Sequence, residues 1–388
     1  MKLLHTSDWH IGRTIEGRDR HDEHEAFFNE LIEIAEDEKI DAVLMAGDVF
    51  DSVNPPAKGE ELFYESMARL SDHGKRPVVI IAGNHDHPER LAAARTLLRK
   101  HRIYIQGYPT IHPLRIPIEG SEADLCIAGL PYPSESRLKE SFTEINDELA
   151  IREAYDLRIS DIFNQLTSSF SNKDICVAMS HLFVAGGSST ESERPIEVGG
   201  AYTVRANQLP ENVHYTALGH LHRPQNIHRS KAPARYAGSP LAFSFSEAGY
   251  AKSVTIVDAL PGEKADIREV FLQSGRPLVK WKATEGLAQV HTWMDQRLDA
   301  DAWIELDIHM KDTPSMEDIH RLKKHYPRLL NIRPIFPEQE QISGPERKHV
   351  AIDELFKQFY ERQTGGASPD EDLTHLFLEI VNEEEGAS

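Results

Sequence analysis

Five short apolar runs in this sequence end in residue types that bind metal ions. Lys2 to Thr6 leads into Asp8-Trp9-His10, Ala42 to Ala46 into Gly47-Asp48, and Val78 to Ala82 into Gly83-Asn84-His85-Asp86. Ile175 to Met179 leads into His181, and Tyr215 to Leu218 into Gly219-His220-Leu221-His222. Carboxylate, imidazole and amide oxygen are all donors to divalent metals, and a strand end is a rigid place from which to aim them. Glycine before Asp48, Asn84 and His220 allows the sharp turn such a placement needs. Any one of these motifs could be a surface or helix-capping feature. Five in succession, each directly after an apolar strand, form a specific pattern, and its chemistry is metal-assisted.

The elements that must carry these residues follow from the pattern around them. Up to about residue 260, short runs rich in Val, Ile, Leu and Ala alternate with amphipathic stretches, which predicts a layered α/β domain. A further predicted strand spans Leu125 to Ala128. Ala26, Phe27, Leu31, Ile34 and Ala35 recur at helical spacing, and Ser134 is placed to cap a long helical stretch ending near Asn172. Gly186 to Gly200 has no period and reads as a loop. After Gly275-Arg276-Pro277 the pattern restarts as strand (278 to 283), helix (287 to 298), strand (303 to 308), helix (316 to 325) and strand (329 to 335). The tail, Glu346 to Ser388, has eleven acidic residues against four basic ones. It carries two helical stripes, Ile352, Leu355, Phe356, Phe359 and Tyr360, then Leu373, Leu376, Phe377, Ile380 and Val381, with Gly365-Gly366 between them. These stripes would pack on each other, on the main domain, or on a partner helix. The predicted domains are therefore 1–275, 276–345 and 346–388.

Composition narrows the classes. The 388 residues are 40% hydrophobic and 27% charged, as expected of a globular chain, and no run is long and apolar enough to span a bilayer. The N-terminus turns polar too soon for a signal peptide, so a cytoplasmic protein is expected. Two cysteines, Cys126 and Cys176, each lie in an apolar run and read as buried thiols, which excludes a disulfide scaffold or a multi-cysteine zinc module. A net charge of −20 opposes non-specific adhesion to nucleic acid, so any such contact must be local. Two local basic stretches exist: Arg90, Arg95, Arg99, Lys100 and Arg102, and Arg223, Arg229, Lys231 and Arg235. They are the expected phosphate contacts if DNA is the substrate. No Gly-x-x-x-x-Gly-Lys-Ser/Thr loop occurs, so ATP hydrolysis would have to come from a partner.

In order and spacing, Asp-x-His, Gly-Asp, Gly-Asn-His-Asp, His and Gly-His-x-His resemble the calcineurin-like metallophosphoesterase superfamily. Ser7-Asp8-Trp9-His10-Ile11-Gly12, Gly47-Asp48-Val49-Phe50-Asp51, Gly129-Leu130-Pro131-Tyr132 and Tyr236-Ala237-Gly238-Ser239-Pro240 are similar to its double-strand-break-repair nuclease branch, over nearly the whole chain. The resemblance implies a two-sheet sandwich with outer helices, a small α/β capping domain and a C-terminal helical hairpin that grips a coiled-coil ATPase. It implies two divalent ions, one held by Asp8, His10, Asp48 and His222, the other by Asp48, Asn84, His181 and His220. Manganese is the implied metal. Four imidazoles in the set disfavour magnesium, and iron or zinc are also compatible.

Two such ions can clamp a phosphodiester and activate a bound water. His85, beside the ligand Asn84, is then the candidate general acid or leaving-group stabiliser. Asp51 stands where archaeal relatives have a histidine, and lacks the following Arg of phosphoprotein phosphatases. Its spacing suggests that it orients His85. The implied function is a DNA nuclease, a double-strand 3′-to-5′ exonuclease and single-strand or hairpin endonuclease, working as a homodimer in DNA repair and recombination. A phosphodiesterase or phosphatase acting on small substrates, and a non-catalytic scaffold, are the competing readings.

Overall fold

The structure, a computed structural model, describes residues 1–138, 148–193, 202–310 and 316–336, together with 356, 357, 360, 369, 373, 374 and 377. Two six-stranded sheets face each other. One runs Asp266–Phe271, Ser253–Asp258, Lys2–Thr6, Ala42–Ala46, Val78–Ile81, Ile103–Gln106. The other runs Gln225–Asn226, Ala234–Tyr236, Tyr215–Gly219, Ile175–His181, Leu125–Leu130, Leu114–Ile116.

Successive side chains of the central strands are buried on opposite faces. Leu3, Ala42, Leu44, Val79 and Ile81 meet Leu125, Ile127, Val177 and Met179 between the sheets. Leu4, Val43, Met45, Val78 and Ile80 instead pack with Phe27, Leu31, Phe63 and Met67 of the outer helices His21–Asp37 and Ala57–Leu70. A strand covered on both faces has to be apolar at every position, which is what made these runs readable. Helix Glu148–Thr167 covers the outer face of the second sheet through Tyr155, Ile159, Phe163 and Leu166. The α/β sandwich predicted from the sequence is the observed fold. Cys126 and Cys176 are buried free thiols, opposite one another in the second sheet.

Parallel pairing explains where the chemistry gathers. Lys2–Thr6, Ala42–Ala46 and Val78–Ile81 are parallel neighbours, Thr6 beside Met45 and Ala46 beside Ile81. Their three C-terminal ends therefore leave one edge. In the second sheet Ile175–His181 and Tyr215–Gly219 are parallel, with Gly219 opposite His181. Ligands bind at such carboxyl ends in α/β sheets, where loops from several strands converge.

A third, three-stranded sheet is built from Leu278–Ala283, Trp303–His309 and Leu329–Ile335 in that order. It belongs to the same compact unit as the sandwich, apart from its last residue, because Leu278, Trp303 and Leu330 share a core with Ile15 and Phe245. The predicted boundary near residue 276 is thus crossed by apolar packing. The second compact unit comprises Met310–Thr313 and Ile335–Ser388. Within it the Phe356 and Phe377 rings stack at 4.2 Å and 8°, so the two tail stripes meet at this point. Leu373 is also described, whereas Ile352, Leu355, Phe359, Leu376 and Ile380 lie outside the described residues.

Candidate metal centre

Seven predicted ligands converge where the two sheets' carboxyl ends meet. Asp48 is central. Its Oδ2 lies 3.3 Å from His181 Nε2 and 3.6 Å from His10 Nε2, while its Oδ1 accepts the His85 N–H at 2.8 Å. His10 Nε2 is in turn 3.1 Å from His222 Nε2. On the other side, Asn84 Oδ1 is 2.8 Å from His181 Nε2 and 3.3 Å from His220 Nδ1. The Asp8 carboxylate accepts the His220 N–H at 2.9 and 3.1 Å. Asp8, His10 and His222 form one set of donors within 4.8 Å of each other, and Asp8, Asp48 and His181 form another.

The backbone is bent to achieve this. Asp8, His10, Asp48 and His220 all have positive φ, from 46° to 108°. For non-glycine residues that conformation is costly, and it concentrates at sites where the surrounding structure dictates it. Tight packing also fixes two glycines: a Cβ on Gly47 would collide with the His181 ring, and one on Gly83 with the Asp48 carboxylate. Asp86 is no ligand. Its carboxylate accepts the N–H groups of Val49, Phe50 and Gly83 at 2.8–3.2 Å and so clamps the Asp48 and Asn84 turns together.

These donors suit divalent cations. Two buried carboxylates, Asp8 and Asp48, have no Lys or Arg ion pair among the described residues, and two imidazole Nε2 atoms face each other at hydrogen-bond distance. Only a shared cation satisfies that crowd of lone pairs. Charge shifts record the strain. Burial, together with the nearby Asp48 charge, pushes Asp8 up to about 6. Burial lowers His10 to about 3, the neutral form a ligand requires. For His181 burial acts downward, but the Asp48 carboxylate, with Asp8 and the Ala46 carbonyl, drives it up to about 9. Its Nδ1 donates to the Ala46 carbonyl at 2.9 Å, which directs Nε2 into the cluster.

His85 and Asp51 lie beside this centre. His85 Nδ1 donates to the Asp51 backbone carbonyl at 2.7 Å. The Asp51 carboxylate is 3.9 Å from that nitrogen but 3.3 Å from His10 Nδ1, and it also faces Arg13 at 3.6 Å. Asp51 therefore touches His85 through its main chain and His10 through its side chain, an arrangement spacing alone did not disclose.

The basic residues divide. Arg95, Arg99, Lys100, Arg223 and Arg229 are exposed. Arg90 is bonded to Glu60 and Asn54, and Lys231 to Glu211 at 2.6 Å. Arg102 bridges the carbonyls of Lys75 and Pro117. Arg235 corrects the sequence reading: it is buried, paired with Glu269 and bonded to Thr255 and Asn226, so a DNA strand cannot reach it. Alternate residues of an inner strand point inward whatever their charge.

Sequence reasoning missed Ser192, Glu193, Glu247 and Lys252. Ser192 Oγ lies 2.6 Å from His222 Nδ1, and Glu193 Oε1 accepts the His222 N–H at 2.8 Å. Lys252 Nζ donates to the His222 carbonyl at 3.0 Å and pairs with buried Glu247. An aperiodic loop and an isolated lysine carry no signal of such contacts in the sequence.

Residues 1–224 match the family profile of calcineurin-like phosphoesterases, and residues 274–364 match one described as the type 5 capsule protein repressor C-terminal domain. Three relatives bear the name of the SbcD component of the nuclease SbcCD. That of Bacillus subtilis is 55% identical over the full length of both chains. That of Rhodobacter capsulatus is 34% identical over 73% of this chain and 72% of its own, and that of Escherichia coli 26% identical over 98% of each.

Proposed function

The chain belongs to the calcineurin-like phosphoesterases and, among them, to the SbcD nucleases of SbcCD complexes, and on that footing we propose a specific role for it. It is a metal-dependent hydrolase, acting as the catalytic subunit of a complex with an SbcC-like coiled-coil ATPase. Its reactions are double-strand 3′-to-5′ exonuclease and single-strand or hairpin endonuclease cleavage, in cytoplasmic DNA repair and recombination, as a homodimer that uses manganese.

The position of the Asp48 carboxylate between His10 and His181 carries this reading, because one bridging carboxylate suits two ions rather than one. Asp8, His10, Asp48 and His222 would hold one ion; Asp48, Asn84, His181 and His220 would hold the other. Bound together, two divalent ions clamp a phosphodiester and lower the pKa of a bound water. With Nδ1 committed to the Asp51 carbonyl, His85 has Nε2 left to stabilise or protonate the departing oxygen. Asp51 orients both imidazoles. Exposed Arg95, Arg99, Lys100, Arg223 and Arg229 would meet the phosphate backbone, aided by Arg90 and Lys231 if their ion pairs open. The tail around Phe356, Leu373 and Phe377 would dock the ATPase. No helix among the described residues is long and apolar enough to cross a membrane.

The test is manganese-dependent cleavage of a linear duplex, run beside a nitrophenyl phosphodiester and a phosphomonoester. Duplex degradation that is lost in His85→Gln supports the nuclease reading. Turnover of the small esters alone would move the protein to the general phosphoesterases.

A further inference from the structure

We propose that Glu193, acting through the hydroxyls of Thr190 and Ser192, fixes the tautomer of His222 so that its Nε2 is free to bind metal. This rests on the metal-centre reading above and concerns how one of its ligands is prepared.

The contacts form a closed ring. His222 Nδ1 lies 2.6 Å from Ser192 Oγ, which lies 2.8 Å from Thr190 Oγ1, which lies 2.7 Å from Glu193 Oε2. The other carboxylate oxygen, Oε1, accepts the His222 main-chain N–H at 2.8 Å. The direction of every bond follows from one end. A carboxylate only accepts, so the Thr190 hydroxyl must donate to it. Thr190 Oγ1 then has only lone pairs to offer Ser192, so the Ser192 hydroxyl must donate in its turn. Ser192 Oγ is left as the acceptor, and His222 Nδ1 must carry the proton. Glu247 Oε1, farther off at 3.8 Å from the same nitrogen, favours a proton there too. In a neutral imidazole the proton on Nδ1 leaves Nε2 bare, and His222 Nε2 is the atom that faces His10 Nε2.

The segment is held in place independently of the ring. Arg13 donates to the Ser192 carbonyl at 2.7 Å, the Thr190 N–H binds Glu193 Oε2 at 2.7 Å, and Ser192 is buried. Metal-bound histidines commonly donate their second N–H to a carboxylate directly, which raises ligand basicity and fixes the ring. Here two hydroxyls stand between the carboxylate and the imidazole. Thr190, Ser192 and Glu193 are thus positioning residues.

The test is a calorimetric titration of the purified chain with Mn2+ alone, supported by electron paramagnetic resonance of the bound ions. Thr190→Val removes the middle hydroxyl, and Thr190→Ser keeps it. The expected result is two ions bound by the wild type and by Thr190→Ser, and a loss of about 10- to 100-fold in affinity for one of the two in Thr190→Val. Ser192→Ala should weaken the same ion, with the metal-free melting temperature of all three variants near that of the wild type. Wild-type affinity for both ions in Thr190→Val, or equal damage from Val and Ser, overturns the relay. A wild-type chain that binds no Mn2+ overturns the metal-centre reading itself, and the relay falls with it.

Discussion

Trp303 donates its indole Nε1–H to the Glu23 carboxylate at 2.8 Å, across 280 residues of sequence. The same carboxylate accepts the Arg276 N–H at 2.8 Å and a two-pronged contact from Arg20, whose side chain is completely buried. Glu23 therefore ties the three-stranded sheet to the first outer helix of the sandwich. Arg20 continues the line, donating to the Ala242 carbonyl beside Phe243, and the Phe243 ring lies 5.2 Å from that of His10. The small sheet is joined to the metal centre by packed groups rather than by a free linker.

Glu23→Gln should destabilise the protein by about 3–5 kcal/mol, because it leaves the buried Arg20 guanidinium without its counter-charge. Urea denaturation followed by tryptophan fluorescence checks this, and a change below about 1 kcal/mol would show the contact to be incidental.

The same carboxylate predicts a pH dependence. Burial alone would raise its pKa, but Arg20, the Arg276 N–H and the Trp303 N–H together hold it below the ordinary 4.5. The folded form thus binds its proton less readily than the unfolded chain. The contribution is full above about pH 4.5 and fades as pH falls through the folded value. Wild type and Glu23→Gln should accordingly converge in stability as pH is lowered below 4.5; a constant difference would contradict the assignment.

Gly83→Ala should abolish metal binding although residue 83 itself binds nothing. Its new Cβ would strike the Asp48 carboxylate and main-chain nitrogen, and overpacking of this kind costs about 1–3 kcal/mol. Mn2+ calorimetry and a melting curve on the same sample test it, and two ions bound with wild-type affinity would refute it.

The sequence disclosed most where burial is two-sided. Lys2–Thr6 and Ala42–Ala46 have the predicted limits because both faces are covered, so neither allows a polar residue to blur the run. Leu278–Ala283, Met316–His325 and Leu329–Ile335 were also legible, set apart by clear turns. Asp266–Phe271 was not foreseen, since as an edge strand it is largely exposed and its Asp-Ile-Arg-Glu-Val-Phe sequence holds no apolar run. The helix expected from Ser134 onward is described as two, Glu135–Leu138 and Glu148–Thr167. At the site, the candidate ligands stood out because each follows a strand. Thr190, Ser192, Glu193, Glu247 and Lys252 did not, because their contacts are made by tertiary proximity in segments with no period. Arg235 misled for the converse reason: a basic stretch gives no sign of which of its members turns inward.

Removal of residues 346–388 should leave manganese-dependent nuclease activity and abolish binding to the coiled-coil ATPase. Phe356 and Phe377 stack on each other within the second compact unit, while the ligands lie in the first. A pull-down with the ATPase and a duplex-cleavage assay, made on one preparation, check both halves. Retained binding would move the docking surface elsewhere.

The most direct measurement is metal content and duplex cleavage on the same samples of wild type and Asp48→Ala. Because Asp48 lies between His10 and His181, its removal should reduce two bound Mn2+ to one or none and lower cleavage to below about one per cent, with the fold retained. Two tightly bound ions, or more than a few per cent of activity, in the variant would contradict a bridged dinuclear centre.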